Sequence, residues 1–125
     1  MRVLISFSFL IILFTGCYNK DRNCDDFRTG KFEFEAISGT EIFRTTIVRN
    51  DSIEIDYFDG KIDTSSIRWI NNCEYILKKI NPRNQAEKKA IHIKILSTTE
   101  NEYTFEFKEV GKSTSSQGTA RRVRD

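Results

Sequence analysis

One histidine, one tryptophan, three cysteines and a near-balance of charge leave this 125-residue chain with little of the usual chemical equipment. Histidine-based metal sites draw on a second ligand nearby, and histidine catalysis needs a partner at hydrogen-bond distance. His92 is the only histidine, and its place between Ile91 and Ile93 aims it at solvent. With 20 Lys and Arg against 18 Asp and Glu, there is no basic stripe of the kind that tracks nucleic acid, and no acidic tail. The densest basic group, Arg121, Arg122 and Arg124, reads as a solvated chain end, with a phosphate or lipid headgroup as the alternative. Internal repeats and helical heptads are missing, and low complexity is confined to residues 113–116. Gly111-Lys112-Ser113 resembles the end of a phosphate-binding loop, but Glu106 stands where that motif needs its first glycine, and no helix is expected to follow. A long apolar run is absent too. The longest covers residues 3–14, 12 positions interrupted by Ser6 and Ser8, whereas a bilayer-spanning helix needs about 20.

That short run has a different meaning. Arg2 precedes it and Thr15-Gly16-Cys17 follows, the layout of an export signal with small residues at its cut. Leu13-Phe14-Thr15-Gly16-Cys17 resembles the lipobox of bacterial lipoproteins, with Phe14 where leucine is usual. The resemblance implies removal of residues 1–16 and acylation of Cys17, with palmitate-type chains holding the protein to a membrane. Two or more chains anchor stably where one does not. An ordinary signal peptide with a chance cysteine is the other reading. Loss of Arg2 takes the 20 basic residues to 19 against 18 acidic ones, leaving a charged but balanced surface.

With Cys17 lipidated, Cys24 and Cys73 remain as an even pair in an oxidising compartment. A bridge between them would close a long loop and stabilise a small core by about 4 kcal/mol; two free thiols are the alternative. Residues 17–29 read as a lipidated cysteine with a polar tether, and residues 30–125 as one domain.

Within that domain the hydrophobic period is two. Phe32, Phe34 and Ala36 alternate with charged residues, as do Ile53, Ile55 and Tyr57 with Glu54 and Asp56. The same holds for Cys73, Tyr75 and Leu77, for Ile91, Ile93 and Ile95, and for Tyr103, Phe105 and Phe107. Alternation of β-branched and aromatic residues means strands with one buried face. Turn signals at Ser38-Gly39, Asn50-Asp51, Asp59-Gly60, Asn71-Asn72, Asn81-Pro82, Glu100-Asn101 and Gly111-Lys112 divide about eight strands. Residues 83–89 have room for one or two helical turns. The expected fold is all-β: an antiparallel meander of about eight strands, forming a small barrel or a half-barrel.

No catalytic constellation and no metal site emerges. Glu54, Asp56, Asp59 and Asp63 lack the spacing of a calcium loop, and on the alternation above Glu54 and Asp56 belong to a solvated face. Trp69 and Tyr75 flank a tight turn and share an inner face, as core or as the wall of a ligand site. A cavity, if the barrel holds one, is expected among Phe34, Ile55, Tyr57, Trp69, Tyr75, Ile93 and Phe105.

Arg22-Asn23-Cys24, Thr29-Gly30-Lys31-Phe32, residues 50–57, residues 68–75 and Asn81-Pro82, with the lipobox, resemble a family of short Gram-negative envelope lipoproteins. Its members often carry the name DNA topoisomerase IV. That activity is not supported here, because the chain has no ATP site, no catalytic tyrosine constellation and a leader directing it away from DNA. Thr29-Gly30-Lys31-Phe32 and the Trp69 hairpin are also similar in outline to lipocalin-like barrels. The expectation is a non-catalytic lipoprotein of the cell envelope, at the outer membrane, with no cofactor and no nucleic acid. It would bind an envelope protein or, alternatively, carry a small apolar ligand.

Overall fold

The computed structural model describes residues 22–38 and 40–124, so the leader and Cys17 lie outside the described residues. Eight antiparallel strands follow one another as a meander and close into a barrel. They are β1 (Gly30–Ser38), β2 (Glu41–Arg49), β3 (Ile53–Phe58), β4 (Lys61–Asn71), β5 (Glu74–Lys79), β6 (Ile91–Thr98), β7 (Glu102–Glu109) and β8 (Ser116–Arg122). A 3-10 turn at Ala86–Lys88 stands within the segment expected to be helical, and a second at Cys24–Phe27 precedes the barrel. The all-β meander is thus as expected, and of the two closures left open, the full barrel is the one formed.

Local chemistry accounts for the seams. Asp59 and Gly60 have φ of +49° and +73°, and both positive angles suit the tight two-residue hairpin joining β3 to β4. Irregularities at Trp69/Asn71 and at Ile95/Ser97 break the ladder in β4 and β6, and such bulges bend strands toward closure. The barrel closes through only three register pairs between β1 and β8: Phe32 with Arg122, Glu33 with Arg121, and Phe34 with Ala120. Close to this seam Gly118 has no side chain for a physical reason. A Cβ there would lie 2.4 Å from the Phe34 ring.

The core is packed toward one end. Phe27, Phe32, Ile95 and Tyr103 are fully buried there, and the Phe32 and Tyr103 rings meet edge to face at 5.3 Å. Residues 24–27, expected within a polar tether, instead plug this end with Cys24 and Phe27. Their acidic neighbours Asp25 and Asp26 stay exposed, which is why composition alone reads the segment as tether. Cys24 and Cys73 form a disulfide with Cα atoms 5.2 Å apart, tying the plug to the turn between β4 and β5. Arg22 and Asn23 reinforce it through hydrogen bonds to the Ile95 carbonyl (3.0 Å) and the Thr98 hydroxyl (2.8 Å). Near the opposite end Phe43 and Phe58 are exposed, their rings 6.0 Å apart.

One strand is the reverse of its expectation. The β1–β2 register pairs Phe32 with Ile47 and Phe34 with Thr45, which turns the odd positions of β2 inward. Arg49 is then paired with Glu54 and Ile47 with Asp56, so the acidic residues of β3 face the interior. Ile55 and Tyr57 point outward, and Tyr57 is 42 % exposed. Hydrophobicity alone chooses the wrong face because it cannot see the buried cation that needs Glu54.

Replacing Cys24 and Cys73 together by alanine should lower unfolding stability by about 3–4 kcal/mol, the loop-closure value for their separation. Urea denaturation of the two proteins measures it. A loss below about 1 kcal/mol would mean the plug holds its place without the bridge.

Candidate functional site

The interior is organised from the plugged end upward, beginning with Arg49 on β2. Its side chain is fully enclosed and spends all three nitrogens on hydrogen bonds. Nε donates to the Arg28 carbonyl (3.2 Å) and Nη2 to the Phe27 carbonyl (2.7 Å) and the Tyr103 hydroxyl (3.2 Å). Nη1 donates to Glu54 Oε1 and to the Tyr75 hydroxyl, both at 2.9 Å. The rings of Phe32, Tyr75 and Tyr103 lie 4.8–5.5 Å from the guanidinium carbon. Burial opposes the charge, but the oxygens of Tyr75, Tyr103 and Glu54 raise the Arg49 pKa above its ordinary value. Burial likewise pushes the phenols of Tyr75 and Tyr103 up, so both remain neutral.

Above this floor lies a cavity of about 240 Å³. Its aromatic walls are Phe34, Tyr75, Tyr103, Phe105 and Phe107. Ile47, Leu77 and Ile93 complete the apolar lining, and Thr45, Glu54 and Asp56 are its polar groups. Apolar walls with a few convergent polar atoms are the usual composition of a small-molecule site.

Asp56 is the unusual member. Its Oδ1 is buried and has no hydrogen-bond partner. Burial, then the neighbouring Glu54 carboxylate, pushes the Asp56 pKa up to about 8, and Arg49 opposes the shift. Asp63, the cross-strand partner of Asp56, adds to the rise but is itself held by Arg83 at 2.8 Å and Lys79 at 3.5 Å. Lys79 also reaches Glu87 at 3.0 Å.

Of the residues expected around a cavity, Phe34, Tyr75, Ile93 and Phe105 line it. Trp69 is on the inner face but packs lower down, its ring 4.6 Å from Tyr75 and 4.6 Å from the Arg28 guanidinium. Ile55 and Tyr57 are corrected to the outer surface by the β2–β3 register. Thr45, Ile47, Glu54, Asp56, Leu77, Tyr103 and Phe107 line the cavity without having been singled out for it. Leu77, Tyr103 and Phe107 share the alternation of Tyr75 and Phe105, so a signal for them exists; for Glu54 and Asp56 the alternation points the other way. His92 lies outside the barrel, with Nε2 3.2 Å from Glu74. Of the acidic group, Glu54, Asp56 and Asp63 converge, while Asp59 makes a turn. Among the described residues no three His, Cys, Asp or Glu side chains are grouped to hold a metal.

Arg49→Met should destabilise the barrel by about 3–5 kcal/mol, because it strands the Glu54 carboxylate. Adding Glu54→Leu should recover part of that loss, and chemical denaturation of the series measures both effects. Asp56 gives a signed pH dependence. Its folded pKa lies above its unfolded one, so its contribution is complete below about pH 4 and is lost as pH rises toward 8. The slope approaches about 1.4 kcal/mol per pH unit within that window. Asp56→Asn should remove this decline, and parallel stability profiles of the two proteins from pH 4 to 9 would contradict it.

No protein-family model, curated protein or solved structure matches the chain.

Proposed function

We propose that this chain is a non-catalytic, lipid-anchored protein of the cell envelope that binds a small, largely apolar molecule inside its barrel. The observation that carries the reading is the cavity itself, walled by aromatic and aliphatic side chains above a rigid polar floor. An apolar cavity of about 150 Å³ can hold benzene, so 240 Å³ suits an occupant of roughly ten non-hydrogen atoms. Export is supported by the leader and by the disulfide, which suits an oxidising compartment. Seven positions separate Cys17 from Cys24, and Cys24 belongs to the plug. An anchor at Cys17 would therefore hold the plugged end toward the lipid and leave the other end facing away.

A specific surface favours a second reading, a binding module for an envelope protein. Val48, Ile55, Tyr57 and Ile62 are neighbours on the outer face of β2, β3 and β4, and Ile62 is 61 % exposed. The two readings separate by mutation. Leu77→Trp fills the cavity, and Tyr57→Ser with Ile62→Ser removes the outer patch.

The protein, expressed from its full sequence in a Gram-negative host and held in nanodiscs, should bind indole with a dissociation constant no weaker than about 1 mM. Leu77→Trp should abolish that binding while leaving the circular dichroism spectrum of the barrel intact. Mass spectrometry of the same protein should find residues 1–16 absent and Cys17 acylated. Failure of the wild-type protein to bind indole, or binding that survives in the filled variant, would remove the cavity reading.

A further inference from the structure

We infer that the molecule taken into the barrel carries a basic nitrogen, and that Asp56 receives it. This rests on the cavity reading and specifies its ligand class.

Among the described residues around the cavity, Asp56 carries the one buried carboxylate oxygen without a hydrogen-bond partner. Glu54 accepts from Arg49, and the Tyr75 and Tyr103 hydroxyls accept from the same guanidinium. Thr45 carries only a neutral hydroxyl. Asp56 lines the cavity, and its Oδ1 is buried without a hydrogen-bond partner. The protonated Asp56 carboxyl shares a hydrogen bond with Glu54, another acid, while Oδ1 keeps no donor, and a buried acceptor left so costs about 1–3 kcal/mol.

Charge makes the same point. The charged groups facing Asp56 are Glu54 on its own strand, Arg49 on β2 and Asp63 on β4, with the neutral phenols Tyr75 on β5 and Tyr103 on β7 behind them. Arg49 is hydrogen-bonded to Glu54. Arg83 and Lys79 neutralise Asp63, and Lys79 is shared with Glu87. That leaves the carboxylate of Asp56 one cation short. A ligand with apolar bulk and one ammonium group matches both halves of the cavity: rings and methyls of the wall around the bulk, Asp56 against the nitrogen.

The proton balance follows. With its pKa raised to about 8, Asp56 is the neutral acid at pH 7. When R–NH3+ binds, the Asp56 O–H bond breaks, its proton passes to solvent, and a carboxylate–ammonium pair forms. Below pH 8 each bound ammonium therefore releases about one proton, and affinity rises about tenfold per pH unit. Above pH 8 affinity levels off until the amine itself deprotonates, near pH 10 for an alkylamine.

The experiment compares phenethylamine with propylbenzene, which has the same shape without the charge, by calorimetry on the full-length protein. Titrations at pH 6.5 in two buffers of different ionisation enthalpy count the protons released. Phenethylamine should bind about tenfold or more tightly than propylbenzene at pH 8, and its affinity should rise about tenfold from pH 6 to 7. Asp56→Asn should lower phenethylamine affinity at pH 8 about tenfold or more and abolish the proton release, with propylbenzene binding retained. Equal binding of the two compounds, binding of propylbenzene alone, or an amine affinity unchanged in Asp56→Asn overturns the inference and leaves the cavity reading standing. Binding of neither compound overturns both.

Discussion

Burial of the Arg49 guanidinium constrains the rest of the interior. A cation removed from water has to be matched by oxygens at short range, and this one draws on four separate parts of the chain. The plug contributes main-chain carbonyls, β3 contributes Glu54, and β5 and β7 contribute tyrosine hydroxyls. Each of those contributions fixes something else. The carbonyls hold the plug in register, Glu54 sets which face of β3 turns inward, and the two phenol oxygens are turned toward the cation. Asp56 follows two residues after Glu54 on the same face, so its position inside an apolar space is inherited from the demand of Arg49. The disulfide and the aromatic packing strengthen the plugged end, but neither dictates strand orientation in this way.

The balance of forces also explains why one end is solid and the other hollow. Phe27, Phe32, Ile95 and Tyr103 fill the lower volume completely, assisted by Arg122, which lies over the Phe27 and Phe32 rings and donates to the Asp26 carbonyl. Higher up, the inward positions of β2 and β3 include Thr45, Glu54 and Asp56 in place of large hydrophobics. Small and charged side chains on one wall, set against Phe34, Phe105 and Phe107 on the other, leave unfilled volume between them.

Strand content and strand order were legible because alternation is strong in five of the eight strands and the turn residues sit where the hairpins need them. Closure was not, since β8 is Ser/Thr-rich and its pairing to β1 depends on Ala120 and Gly118 being small, a property without periodicity. The partnership of Cys24 and Cys73 was accessible by counting, whereas the plug was hidden because Phe27 is a lone apolar residue behind exposed aspartates. The cavity wall was half legible. Aromatic alternation leads to Phe34, Tyr75, Ile93 and Phe105, but β3 carries isoleucines and a tyrosine on its outer face, and pattern reading turns it inside out. Recognising that reversal requires Arg49 to be seen as buried, and nothing in its local sequence marks it so.

The narrow seam between β1 and β8 has a consequence for how the barrel forms. Seven of the eight seams join strands adjacent in sequence, and they can assemble as hairpins while the chain emerges from its N-terminus. The eighth waits for residues 116–122, the last strand made. Cys24 and Cys73 are both available by the time β5 begins, so the cross-link can be in place on an open, curled sheet. A chain emerging from its N-terminus would therefore pass through a stapled half-cylinder with its apolar lining exposed, and become a container only when residues 116–122 arrive.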